Sequence, residues 1–238
     1  MFYFMISSLL SYDFILLAAA VIPAIFLMVK VYRSDRLERE SRYMLWTLVR
    51  SGIISSLIAL VAERILSTLL GVLVSDDRLY QILLYFVVVA FSEEGAKFFM
   101  LRKCSWNSRE FNCQYDGVVY AVFVSLGFAL WENISYVMHY GFSTALLRAL
   151  TAIPGHTCFG VFMGVFYGIA RKHENRENRE RSRLCQTLAV VAPAILHGTY
   201  DYIASTQTGR GYFIGFIIVL FAISYGTIVR NSKQDKYI

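Results

Sequence analysis

Apolar windows of bilayer length recur along the whole chain, at about 12–32, 43–65, 79–101, 117–138, 144–170, 186–205 and 211–229. A transmembrane helix needs about 20 mostly apolar residues, and each window approaches that length. A soluble helical protein with an unusually apolar core is the alternative. It fits poorly, because 57% of the residues are hydrophobic, against roughly 45–50% in an ordinary soluble domain. Three prolines and a charged fraction of 17% suit long helices. The expected fold is therefore all-α: a polytopic transmembrane bundle of about seven spans. No internal repeat or domain boundary divides it, so residues 1–238 form a single integral-membrane domain.

The linkers set the expected orientation. The first, third and fifth (33–42, 103–116 and 171–184), together with the ends of the spans beside them and the C-terminal tail, hold sixteen basic residues. The second, fourth and sixth linkers and the N-terminus hold only Arg78 and Arg210. Cytoplasmic loops carry the Lys/Arg excess, so the N-terminus is expected outside and the C-terminus in the cytoplasm. The same distribution assigns the net charge of +6 to membrane orientation rather than to nucleic acid. The opening residues lack a basic stretch and a small-residue cleavage site, so the first span is expected to serve as its own insertion signal. Cys104, Cys113, Cys158 and Cys185 have no ligand-like spacing and read as free thiols. Residues 43–74 form one long apolar run containing Arg50, Glu63 and Arg64, read as a tilted span followed by an interfacial helix, with those charges snorkelling or interfacial rather than catalytic. The run 173–183, with alternating signs, reads as a solvated helix or a disordered loop.

Ionisable groups inside spans cost at least about 2.5–3.5 kcal/mol each at mid-bilayer and are usually functional. Four clusters carry them. Glu93, Glu94 and Lys97 interrupt the third span at spacings of three and four, so all meet on one helical face; a structural ion pair is the alternative. Glu132 lies in the fourth span with Phe128 and Tyr136 a turn to either side. It needs a partner from another helix or water, or serves as a tyrosine-bonded structural acid. His156 follows Pro154 and Gly155, where a kink is expected, and precedes the stripe Gly160, Gly164 and Gly168, which suits close helix packing. His197 and Asp201, four apart on the sixth span, form a natural imidazole–carboxylate pair. At 1.5 Å per residue, Glu132, His156 and Asp201 lie roughly 20 Å from the inner boundary and His197 roughly 17 Å. The Glu93–Glu94 pair comes out shallower, at roughly 9–14 Å, which leaves a gap to be closed.

The combination EExxK (Glu93 to Lys97), FxxxE (Phe128 to Glu132) and HxxxD (His197 to Asp201), with PGH and its glycines between, resembles the PrsW-type membrane proteases over about residues 80–205. The resemblance implies a relative of the prenyl-protein endopeptidases, in which glutamate and histidines activate water without a covalent intermediate. It also implies a first, extracytoplasmic cut in a single-span membrane protein such as an anti-sigma factor, in a bacterial plasma membrane. The chain departs from the prenyl-endopeptidase pattern in carrying Glu132 where those enzymes have histidine, and Lys97 where they have arginine.

In the expected mechanism Glu93 or Glu94 takes a proton from water beside Lys97, and Glu132 shares that water or holds its proton. His197, positioned by Asp201, donates to the oxyanion or the leaving amine, assisted by His156. No cofactor is required. A zinc-dependent version would draw ligands from Glu93, Glu94, Glu132, His156, His197 and Asp201. The alternatives outside hydrolysis are a proton-coupled transporter or channel, which also needs intramembrane carboxylates, and a non-catalytic scaffold. The expected partners are lipid and a single-span protein substrate.

Overall fold

The computed structural model describes residues 2–206 and 210–238, with side chains from 13 to 206 and from 211 onward. Most of the sixth linker, Arg210 included, lies outside the described side chains. Helices α1 (Phe2–Ser34), α2 (Arg42–Leu73) and α3 (Asp77–Leu83) come first. A π-helical turn (Leu84–Ala90) leads directly into α4 (Phe91–Ser105). Then follow α5 (Asp116–Tyr140), α6 (Phe142–Leu150), α7 (Ala152–Asn175), α8 (Arg179–Ser205) and α9 (Arg210–Lys233). Polar residues that compete with the backbone cap three of these helices: Ser41 accepts from the Met44 N–H, Asp76 from Leu79 and Asn178 from Arg181.

Among the described residues, five stretches are long and apolar enough to cross a bilayer: Asp13–Ser34, Arg42–Leu73, Asp116–Tyr140, Phe142–Asn175 and Gly211–Lys233. The other two expected spans, α3 to α4 and α8, are helical as well. They carry the Glu93–Glu94–Lys97 and His197–Asp201 clusters, and that polarity lowers their apolar character. The chain is an all-α membrane bundle.

Two expectations need correction. Residues 43–74 do not divide into a span and an interfacial helix, because α2 continues unbroken to Leu73. At 32 residues it is about 48 Å long, well beyond a ~30 Å hydrocarbon core, so it must tilt or protrude. Conversely, the expected single span 144–170 is broken at Thr151 (φ −123°, ψ −67°), three residues before the anticipated kink. Pro154 has no N–H for the carbonyl four residues back, and its ring collides with it. That carbonyl belongs to Leu150, where α6 ends.

Helix α5 is the axis of the bundle, with every side chain from Asp116 to Ala129 buried. Glycines set its distances to α2 and α7. A Cβ on Gly164 would overlap the Gly117 and Val118 backbone, and one on Gly160 would lie 2.9 Å from the Ser125 hydroxyl. The glycine stripe is thus the α5–α7 seam. Gly127 meets Val49 of α2 in the same way. Large apolar side chains on α1, α2 and α9, such as Phe26, Leu60 and Ile218, face outward, as expected toward lipid.

The basic linkers collect at one end. Glu110 accepts from the Ser41 N–H (2.9 Å) and hydroxyl (3.0 Å). The Gln114 N–H reaches the Lys236 carbonyl and Ile238 N–H that of Asn112. Arg171 lies over the rings of Trp106 and Phe111. All four cysteines are free thiols, and the charged run 173–183 is helical on both sides of a turn at Glu177 (φ 59°).

Candidate active site

The charged clusters converge. Lys97 Nζ lies 2.7 Å from Glu94 Oε1, 3.2 Å from Glu93 Oε2 and 3.2 Å from His156 Nδ1. His197 Nδ1 is 3.0 Å from Glu94 Oε1 and its Nε2 is 3.4 Å from Asp201. His156 Nε2 is 2.9 Å from Glu132 Oε2. The apparent depth gap is closed by contact: the shallow glutamate pair touches His197 directly and reaches His156 through the lysine.

Local structure explains the convergence. The π-helical turn comes immediately before Phe91 and changes the phase at which α4 presents Glu93 and Glu94; such turns concentrate at functional sites. It also packs tightly on α8, where a Cβ on Gly198 would lie 2.6 Å from the Phe86 ring and 3.0 Å from its Cα. Only glycine beside His197 lets the two segments approach this closely. The Lys97 ammonium sits 4.0 Å above the Phe128 ring, a cation–π contact that helps offset its desolvation. Phe159 stacks on His197 at 4.7 Å between centroids, which fixes the imidazole plane.

The bonding assigns proton positions. A lysine donates only, so His156 Nδ1 accepts from it and Nε2 carries the hydrogen given to Glu132. Each nitrogen of His197 faces a carboxylate, so both suit donation. Glu94 is fully buried, enclosed by Lys97 and His197. Glu93 instead lines a cavity of about 400 Å³ together with Glu132, Arg148, His197 and Asp201. A second cavity, of about 260 Å³, opens between α6, α7 and α8 and shares Glu132, Arg148, His197 and Asp201.

All seven residues singled out from the sequence are therefore brought together, and two further ones join them. Arg148 pairs with Glu132 at 2.9 Å and stacks over Tyr136 at 4.2 Å; its Nε donates to Asn133. An arginine inside an expected span was the available signal. Glu63, read as snorkelling, instead faces the larger cavity opposite Glu93.

Residues 40–226 match the family model described as PrsW family intramembrane metalloprotease. The chain belongs to the PrsW family. It is 32% identical over 220 residues to Protease PrsW of Oceanobacillus iheyensis, covering 92% of this chain and 97% of that one. It is 30% identical to Protease PrsW of Bacillus subtilis, covering 87% and 91%, and 30% identical to that of Clostridioides difficile, covering 91% of each. No solved structure matches the chain. The protein is accordingly a multi-pass intramembrane protease.

The family description invites a metal, and the ligand set tests it. Ligand atoms of Glu93, Glu94 and His156 lie within 4.8 Å of one another, and carboxylate with imidazole suits zinc. The point where they converge, however, is filled by the Lys97 ammonium, within 3.2 Å of all three. A dication and an ammonium cannot share it, so this arrangement does not fit a metal there while Lys97 stays charged and in place.

Proposed function

We propose that this PrsW-family protease hydrolyses a peptide bond with water activated by Glu93. The observation that carries this reading is the division between the two adjacent glutamates. Glu93 faces the cavity, whereas Glu94 is sealed against Lys97 and His197. A base must reach the water it deprotonates, and of the pair only Glu93 has that access. Glu93 takes the water proton as hydroxide attacks the carbonyl carbon, then passes it to the departing amine. Arg148, on the same wall, donates toward the oxyanion, and the His197 Nε2–H, held only loosely by Asp201 at 3.4 Å, turns to join it. Glu94, Lys97 and Asp201 are positioning residues: they hold His197, and through Lys97 also His156. Glu132 orients His156 and binds Arg148.

The substrate proposed is a single-span membrane protein such as an anti-sigma factor, cut first on its extracytoplasmic side in the bacterial plasma membrane. Relatives in several bacteria support the setting. The gathering of the basic linkers at one end supports a cytoplasmic C-terminus, and cysteine labelling from either side of intact cells tests it. The proton-coupled transporter loses ground to family membership. For the hydrolysis itself, purified protein is reconstituted with candidate substrates. Glu93→Gln is expected to abolish cleavage while the protein stays folded; full cleavage by that variant would end the proposal. The family's description as metalloproteases favours a second, metal-dependent reading. Stoichiometric zinc in active protein, with chelator-sensitive and zinc-restored cleavage, would establish it over the first.

A further inference from the structure

A second charged cluster lies at the basic end, away from the cavities. Ligand oxygens of Asp35, Glu40 and Asp116 lie within 4.8 Å of one another, and all three residues are buried. The residues come from two separate segments, the 33–42 linker and the first turn of α5. Asp35 is 3% exposed, yet neither of its carboxylate oxygens has a hydrogen-bond partner. The nearby N–H groups of Leu37 and Glu38 face it without closing one. Asp116 uses one oxygen to accept from the Asn112 and Cys113 N–H groups, and leaves the other, Oδ1, unpartnered. Glu40 accepts from the Tyr120 hydroxyl at 2.8 Å. Asp235 of the tail adds nearby negative charge and has its own unpartnered Oδ2.

Among the described residues, no lysine or arginine forms an ion pair with any of these acids. Yet the surrounding linkers are rich in both, with Arg33, Arg36, Arg39 and Arg42 in the first one alone. Buried charges are normally paired or coordinate metals.

We infer that Asp35, Glu40 and Asp116 form a structural binding site for a hard divalent cation of the calcium or magnesium class. All-oxygen carboxylate donors select such ions over zinc. The unpartnered oxygens of Asp35 and Asp116 supply the lone pairs, and the ion fastens the 33–42 linker to the start of α5. The tail joins the same assembly through Asp235, whose Oδ1 accepts from the Tyr115 N–H at 2.8 Å.

The test is thermal unfolding of the purified full chain in detergent, with millimolar calcium or magnesium against chelator. Either ion is expected to raise the unfolding temperature of the wild type by ~4 °C or more. The rise should vanish in the double variant Asp35→Asn, Asp116→Asn, and shrink in Glu40→Gln, which keeps an acceptor for Tyr120. Terbium luminescence, excited through the tyrosines and reversed by calcium, gives a second reading on the wild type alone. No thermal shift and no calcium-reversible terbium signal in the wild type, or equal shifts in wild type and double variant, would overturn the inference.

Discussion

Two clusters of buried acids occupy this membrane protease, and they are built in opposite ways. In the cavity cluster every carboxylate but Glu63 has a cationic or imidazole partner: Lys97 and His197 for Glu93 and Glu94, Arg148 and His156 for Glu132, His197 for Asp201. At the basic end Asp35, Glu40 and Asp116 form no ion pair among the described residues, although arginines are adjacent in sequence. Sequence proximity of opposite charges does not predict pairing; spacing on a helix face does. Glu93, Glu94 and Lys97 share one α-helical face, whereas the 33–42 linker is mostly non-helical and leaves its arginines free to turn toward solvent.

The comparison can be broken first at its most consequential point. Glu93→Gln should reduce cleavage of a reconstituted substrate by ~10²-fold or more, with the unfolding temperature nearly unchanged. Lys97→Met comes next. It strands two buried carboxylates, and removing one partner of a buried pair costs about 3–5 kcal/mol, so the yield of folded protein should collapse on size-exclusion chromatography. Arg148→Ala leaves Glu132 bonded to His156 alone, and should slow cleavage roughly tenfold, about 1.4 kcal/mol in the barrier, in steady-state assays. Smallest, and opposite in sign, is the double variant Asp35→Asn, Asp116→Asn in chelator. Removing unpaired like charges should stabilise the protein by about 1 kcal/mol, read as a higher unfolding temperature than wild type under the same conditions. A loss of stability there would mean that the two clusters are not opposites.

Much of the cavity cluster was legible because a bilayer makes charge conspicuous. Glu132, His156 and His197 stand out in apolar runs, and the three- and four-residue spacings place their local partners. Arg148 was equally exposed to that logic but lies only eight residues from His156, in a stretch whose proline and glycines drew the attention. Glu63 sits beside Arg64 near the end of its expected span, where snorkelling is the ordinary reading; only the packing of α2 against α4 brings it to the cavity wall. The acid cluster at the basic end could not be read, because it needs residues 35 and 116 side by side. Hydropathy says nothing about which linkers touch. The apparent depth gap of the glutamate pair is bridged by contact because counting residues along straight, upright spans ignores tilt and the reach of long side chains such as Lys97.

That turn ties the chemistry to chain length. Each residue of an ordinary helix advances its successor by 100°. Inserting one amino acid between positions 84 and 90 would therefore swing the downstream carboxylates about a quarter-circle relative to α3, whereas deleting one would let the wide turn relax to regular winding with their phase nearly kept. After the insertion every side chain would still be present and the hydropathy profile almost unaltered, but the acids could keep their bonds to His197 only if the upstream segment rotated instead. An insertion here should thus disarm the enzyme as thoroughly as replacing a glutamate.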